Sequence, residues 1–322
     1  MPTKVQPVLA TAVDQPFDSS DWIFEIKWDG YRAIAFIADG QVRLVSRNQN
    51  DLTAQYADLH DLPKFVHAKT AVLDGEIVAL DEQGRSSFSL MQQRTGFRDR
   101  KKRFAPQPGI SVLYYVFDVL YLDGYDLRRV PLDQRKRALT SVLAGRNDVI
   151  RESDCFPGGG EALFKAARQQ GLEGIVAKKR TSLYEEHRSR EWLKIKIRHT
   201  LEAVIGGFTE PEGSRSYFGS IVLGLYDKQG RLIHVGQAGS GFDQRALAEV
   251  WKKLKPLETS QNPFHGEVEA LREVHWIKPK LVAEIEYSEW THTTDEGGPK
   301  LRAPVFLRLR EDKKPEECTF GQ

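Results

Sequence analysis

The sequence predicts an α+β chain of two domains: a mixed or antiparallel sheet domain over residues 1–199, then a small Greek-key barrel over 200–322. Three observations carry this expectation. The 322 residues suffice for two ordinary domains, each with its own core. Before residue 200, long apolar runs alternate with stretches of helical spacing. After it, short strand-like runs follow one another between turns, with one helical stretch among them, as suits a five-stranded barrel. Neither an internal repeat nor a low-complexity linker separates the halves, so the joint is expected to be short.

Residues 1–21 read as irregular, with Pro2, Pro7 and Pro16. Trp22-Ile-Phe-Glu-Ile-Lys27 reads as a strand with Phe24 and Ile26 toward the core and Glu25 and Lys27 on the other face. Asp39-Gly40, between the apolar runs Ala33–Ala38 and Val42–Ser46, signals a hairpin. Leu52–Leu62 suits a short helix. Thr70–Leu80 reads as a strand with Asp74, Glu76 and Val78 on one face, where a buried carboxylate calls for a cation partner. Val112–Tyr121 is a buried strand, with Tyr115, Phe117 and Val119 on one face and Asp118 on the other.

Pro131–Ala144 has helical spacing at Leu132, Arg135, Leu139 and Leu143. Gly158-Gly-Gly160 lacks the lysine-serine sequel of a phosphate loop and reads as a turn before a helix over Glu161–Gln170, closed by Gly171. Glu173–Lys179 begins another strand. Trp192–Ile197 alternates, placing Trp192, Lys194 and Lys196 on one face. The barrel strands are expected at Ala203–Phe208, Gly219–Tyr226, Leu232–Val235, Leu281–Tyr287 and Pro304–Arg310, with a helix over Gln244–Leu257.

Composition is 40% hydrophobic, 29% charged and 10% aromatic, that of a soluble globular protein. No apolar run approaches membrane-spanning length and the start lacks the apolar block of a signal peptide. Cys155 and Cys318 are the only cysteines, which excludes a disulfide framework or a cysteine zinc site and favours a reducing cytosol. Net charge is only +2, yet the cations cluster. Arg94, Arg98, Arg100, Lys101, Lys102 and Arg103 form one group, Lys194, Lys196 and Arg198 a second, and Arg302 to Lys314 a third. Each adjoins a strand pattern, which points to an anionic partner.

Glu25-Ile-Lys-Trp-Asp-Gly-Tyr-Arg32 gathers the chemistry. Taken alone it reads first as a solvated, ion-paired strand end. Six later stretches change that reading: Ser46-Arg47-Asn48, Asp74-Gly-Glu-Ile77, Tyr115-Val-Phe-Asp-Val119, Glu173-Gly-Ile-Val-Ala-Lys178, Trp192-Leu-Lys-Ile-Lys196 and Arg302 through Lys313. Such an order can bring a nucleophilic lysine, several carboxylates and several phosphate-binding cations into one cleft. Glu76, Glu173 and Asp29 suit Mg²⁺ or Mn²⁺ better than Zn²⁺. Lys194 and Lys196 on one strand face repel unless an anion lies over them.

In this order the motifs resemble those of the covalent nucleotidyltransferases, specifically the ATP-dependent DNA ligases. The surrounding wording is similar to the ligase domain of bacterial ligase D, an end-joining ligase. The resemblance covers essentially the whole chain, and it implies an adenylation (nucleotidyltransferase) domain followed by an OB-fold barrel. It further implies that Lys27 attacks the α-phosphate of ATP, carries AMP, and passes it to the 5′-phosphate of a nick that the 3′-hydroxyl then seals. By the same resemblance Glu25 reads the adenine edge and Phe117 stacks on the base. Glu76 meets the ribose or a metal, Glu173 the metal, and Lys194 and Lys196 the α-phosphate. Arg32 and Arg47 hold the nick 5′-phosphate, Arg32 belonging also to the ATP site, with Asp29 near the 3′-hydroxyl. Arg310, Asp312 and Lys313 orient the leaving pyrophosphate, which implies a lid-type motion. Arg94, Arg98, Lys101 and Lys102 are candidates for DNA phosphates. Tyr115 and Trp192 read as packing residues.

The implied partners are nicked duplex DNA and a Ku-type end-binding protein, with the chain a monomer in a bacterial cytosol near the nucleoid. Within the superfamily an RNA ligase or a capping guanylyltransferase competes, though Glu25 and the Arg310-Glu-Asp-Lys313 ending argue against capping. A non-catalytic nucleic-acid-binding module would need no reactive amine at Lys27.

Overall fold

The structure, a computed structural model, describes the whole chain except residues 96, 100, 101, 104–108, 144, 146, 214, 267, 269–271, 292–297 and 322, and describes residues 97–99, 102 and 103 by their backbone alone. The chain divides into two compact units, Met1–Ile197 and Arg198–Gln322.

The first unit opens with strands β1 (Leu9–Ala12), β2 (Ser19–Ile26), β3 (Tyr31–Ala38), β4 (Gln41–Ser46) and β5 (Thr70–Val78), followed by helix α1 (Phe88–Thr95). Next come the short pair β6 (Phe97–Asp99) and β7 (Lys102–Arg103), then β8 (Leu113–Leu122), β9 (Tyr125–Asp126) and α2 (Leu132–Val142). The unit closes with β10 (Ile150–Glu152), β11 (Cys155–Gly158), α3 (Gly160–Gln169), β12 (Gly174–Lys179) and β13 (Arg188–Lys196). These strands build two mixed sheets. One runs β1-β13-β12-β2-β11, with β1 parallel to β13; the other runs β10-β8-β5-β3-β4, with β10 parallel to β8.

Alternation along the strands decides the layers. Ile23 and Trp192 of the first sheet meet Ile34, Phe36, Val72 and Leu120 of the second in a shared core. The outer face of the first sheet sends Phe24, Ile175, Ala177 and Ile195 against Leu163 and Ala167 of α3. The outer face of the second packs Ala35, Leu73, Tyr114 and Val116 against Tyr56, Leu59 and Met91. Asp39 and Gly40 take φ of +52° and +70° between paired Ala38 and Gln41, the two left-handed residues that a tight hairpin of this twist requires.

Several expectations change, among them the helix over Gln244–Leu257, which is α-helical only to Leu254, and the strand at Leu281–Tyr287, which begins at Val274. Residues 1–21 are not wholly irregular, because Leu9–Ala12 adds β1 as an edge strand too short and too mixed to show in the sequence. Leu52–Leu62 becomes two 3-10 turns, Thr53–Leu59 and Leu62–Phe65, the second with Pro63 near its start. Val119 does not share a face with Tyr115 and Phe117. Pairing with β5 slips between Val116 and Asp118, so Val119 turns to the core of Tyr114 and Val116 while Phe117 faces the other core.

The second unit holds β14 (His199–Thr209), β15 (Ile221–Tyr226), β16 (Leu232–Ala238), α4 (Gln244–Leu254), β17 (Val274–Tyr287), the short pair β18 (Trp290–Thr291) and β19 (Lys300–Leu301), and β20 (Val305–Leu309). The sheet runs β16-β15-β14-β17-β20, and a parallel bridge from Ser240 to Val305 joins its two edges. A five-stranded barrel with a helix between its third and fourth strands is the OB-fold arrangement. Asp243 caps α4 by accepting from the Ala246 N–H at 2.7 Å, and Leu247, Val250 and Leu254 bury its apolar stripe.

Candidate active site

The site grows from the end of β2, where the strand stops and Lys27-Trp-Asp-Gly30 turns into β3. Four anchors hold this turn. The Lys27 N–H donates to Gly174 O at 2.9 Å, and the Asp29 N–H to Ser86 Oγ at 3.1 Å. The Trp28 ring lies flat on Tyr115, centroids 3.7 Å apart, and its Nε1–H donates to Ser153 Oγ at 3.0 Å. Gly30 passes so close to β5 that a Cβ there would stand 2.1 Å from Ile77 O. The nucleophile candidate therefore sits on a fixed turn rather than a loose loop.

A cavity of about 240 Å³ opens beside it, lined by Glu25, Lys27, Arg32, Phe117, Lys178 and Lys194 among others. Arg47, Glu76 and Trp192 also reach it, as do Leu9 and Ala10 of β1 and Arg188. A second cavity of about 500 Å³ adjoins, sharing Arg32, Arg47 and Glu76 and adding Asn48, Gln55 and Tyr56. Glu173 and Lys196 stand beside Lys27: Glu173 accepts from Lys27 through Oε2 and pairs with Lys196 through Oε1 at 2.8 Å. These two lysines and burial act on Glu173 in opposite senses; the lysines win and hold its carboxyl below the usual range. Burial, with the charges of Lys196 and Lys27 next, pulls the Lys194 ammonium down. The repulsion expected between Lys194 and Lys196 is thus present, while Glu173 pairs with Lys196.

Burial pushes Glu76 up to about 8, aided by Glu173 and Asp29 and opposed by Lys27 and Arg32. A raised carboxyl favours the folded state below its ordinary 4.5, and that contribution is lost as pH rises through about 8. Glu76→Gln is therefore expected to gain thermal stability relative to the native chain as pH climbs across that window. Melting curves at both ends check this, and a constant difference between the two proteins would refute it.

Arg32 is less available than expected. Its Nε and Nη2 grip Asp74 at 2.9 and 2.5 Å and its Nη1 donates to Val8 O at 2.6 Å. Tyr184 also donates to Asp74, at 2.6 Å, so this buried carboxylate has the cation partner the sequence demanded. Arg94 requires a correction as a DNA contact: it is buried, pairs with Asp58 at 3.0 Å and donates to Ile110 O. Arg98 and Lys102 fall on β6 and β7, described only by backbone, and Lys101 lies outside the described residues. Arg310 pairs with Glu202 at 2.6 Å and with Asp312 at 2.8 Å inside the second unit.

Sequence reading missed Lys136, Lys178 and Arg188. Glu25 is 2% exposed and meets Lys136 at 2.6 Å and Lys178 at 2.7 Å. The Lys178 ammonium also stands 4.2 Å from the Phe117 ring centre and 4.3 Å from that of Trp192. Trp192, expected to be packing alone, both packs and lines the cavity. The signal for Lys136 was its place on the apolar stripe of α2 between Leu132 and Leu139.

The family model for the ATP dependent DNA ligase domain matches residues 7–196, and that for the ATP dependent DNA ligase C terminal region matches residues 214–313. The chain belongs to the ATP-dependent DNA ligases. It is 38% identical over 99% of its length to the multifunctional non-homologous end joining protein LigD of Pseudomonas aeruginosa, of which it spans 37%. DNA ligase C1 of Mycolicibacterium smegmatis is 32% identical, with 99% of this chain matching 93% of that one. Among solved structures, mycobacterial DNA ligase D complexed with ATP and MES is 36% identical, with a TM-score of 0.53 and 98% of each chain covered. The chain thus spans well under half of the LigD protein and nearly all of a smaller DNA ligase. Among the described residues no helix is long and apolar enough to cross a membrane.

Proposed function

We propose that the chain seals 5′-phosphate/3′-hydroxyl nicks in duplex DNA, using ATP, through AMP carried on Lys27. The observation that carries this reading is the row Lys27–Glu173–Lys196 at the mouth of a cavity that Glu25, Phe117 and Lys194 line. Freed from Glu173 and deprotonated, the Lys27 amine forms a bond to the α-phosphorus as pyrophosphate leaves, and Lys194 and Lys196 offset the negative charge that builds there. An oxygen of the nick 5′-phosphate then takes the AMP and breaks the N–P bond. Attack by the 3′-hydroxyl forms the phosphodiester and releases AMP. Glu25 meets the adenine edge, Phe117 the base face, Glu76 the ribose, and Arg32 with Arg47 the nick 5′-phosphate. Asp29 stands at the 3′-hydroxyl.

The donor chemistry fits Mg²⁺, which the family requires. Glu76, Glu173 and Asp29 offer oxygen only, and Glu173 and Asp29 stand near enough to Glu76 for their charges to add to the burial that raises it. Among the described residues no three acidic, histidine or cysteine side chains form a ready cage. Mg²⁺ needs none, since it keeps waters and takes phosphate oxygens. When bound, it neutralises phosphate charge.

Incubation with ATP labelled at the α-phosphate should leave acid-labile label on the chain, and nicked duplex DNA should be joined far better than single-stranded RNA. An unlabelled chain would overturn the reading. Arg310, Asp312 and Lys313 serve the first step: Arg310→Ala or Lys313→Ala is expected to slow lysine adenylation more than sealing of pre-adenylated nicks, and equal loss in both assays would contradict it. The end-joining names of several relatives support action at DNA breaks; the proposal adds a Ku-type partner and a monomeric chain in a bacterial cytosol near the nucleoid.

A further inference from the structure

We propose that Lys136 is a positioning residue for nucleotide selection: with Lys178 it fixes Glu25 as an ionised acceptor on the cavity floor, which admits a base bearing an exocyclic amine and rejects one bearing a carbonyl there. The inference rests on the reading that Glu25 meets the base edge.

One carboxylate here receives two buried ammonium groups. Lys178 reaches Oε2 from β12 at 2.7 Å and lines the cavity; Lys136 reaches Oε1 from α2 at 2.6 Å and stands behind it. The side chains are 2% and 7% exposed, and Glu25 itself 2%. A single cation would already neutralise Glu25, so a second buried one adds desolvation cost without being needed for charge balance. Its effect is on the carboxylate. Burial lowers both lysines; Lys178 falls to about 8, whereas Glu25 holds Lys136 above its ordinary value. Lys136 therefore remains the dependable charge. Cys155 and Asp118 are its other ionisable neighbours, and Glu152 approaches from β10.

An ionised carboxylate accepts hydrogen bonds and donates none; a neutral carboxyl does both. Adenine offers an amine at position 6, and guanine and hypoxanthine a carbonyl. With both lysines in place, the floor pairs with the amine and faces the carbonyl with an unmatched acceptor. Without Lys136, nothing behind the floor holds Oε1, and the carboxyl is free to turn on its remaining partner, Lys178, and to meet a 6-oxo group differently.

The test compares labelling of the full chain from α-labelled ATP and α-labelled ITP, whose base carries the 6-oxo group. In Lys136→Met and Lys136→Gln the ATP-to-ITP ratio of second-order labelling rates is expected to fall by about tenfold or more, the scale on which a buried site rejects a base that leaves its polar group unmatched. Because a ratio is read, a loss of folded fraction cancels. An unchanged ratio in these variants, with a changed one in Glu25→Gln, overturns the role of Lys136 and leaves the base contact standing. An unchanged ratio in Glu25→Gln overturns the base contact itself. Independently of how the lysine variants fold, the infrared difference between the native chain and Glu25→Gln should show an ionised carboxylate band at neutral pH; a protonated-acid band would refute the proposal.

Discussion

Replacing Lys27 by alanine is expected to abolish both labelling by α-labelled ATP and sealing of unadenylated nicks. The mechanism needs an amine that forms and then breaks a bond to phosphorus, and no other lysine is presented on the same turn. Lys194 and Lys196 lie on β13, where the proposed mechanism has them offset charge. Loss of a nucleophile typically costs many orders of magnitude, well beyond the two or three that an electrostatic donor contributes. Sealing of nicks that already carry AMP should survive in part, since that step needs no amine nucleophile. Label on Lys27→Ala comparable with the native chain would overturn the assignment of the nucleophile.

The largest stability effect is expected at Asp118. Its carboxylate receives Nε and Nη2 of Arg135, both at 2.8 Å, and each residue is fully buried. Arg135 also donates to Ser182 O and Val130 O, at 3.0 and 2.5 Å, which ties α2 to β8 and to the turn after β12. Asp118→Ala leaves a guanidinium without its counter-ion in the core, at a cost of about 3–5 kcal/mol. Urea unfolding measures it, and a loss below about 1 kcal/mol would contradict the burial. Asp118→Leu combined with Arg135→Met should recover much of the loss, because no unpaired charge remains.

How much of this was legible depended on how local each cause is. Asp39-Gly40 specifies its hairpin within two residues, and the Trp192-to-Ile197 alternation fixes a strand face without help from elsewhere. Asp74 announced its need for a cation, and Arg32 met it across the β3–β5 ladder. Order alone carried the family: Lys27 and Ser46 stand at strand ends, whereas Asp74–Ile77 and Tyr115–Val119 lie inside β5 and β8. The failures were non-local. The strand β1 exists because β13 offers an open edge to it. The faces of Phe117 and Val119 part at an irregular register that no periodicity records. Lys136 sits on the apolar stripe of α2, but its partner Glu25 is more than a hundred residues away in sequence, so nothing local names it. Arg94 reads as part of a basic patch until Asp58 and Ile110 absorb it.

Arg32, Arg47 and Glu76 belong to the walls of both cavities in the first unit. Two compartments with a common wall cannot be filled independently. An occupant that shifts Glu76 toward its charged form, or turns Arg32 against Asp74, changes the surface the other occupant meets. Thermodynamic linkage makes that influence mutual: each occupant alters the affinity of the other by one and the same factor. The partition between the compartments is thus a place where the order of events on the enzyme can be set by binding alone.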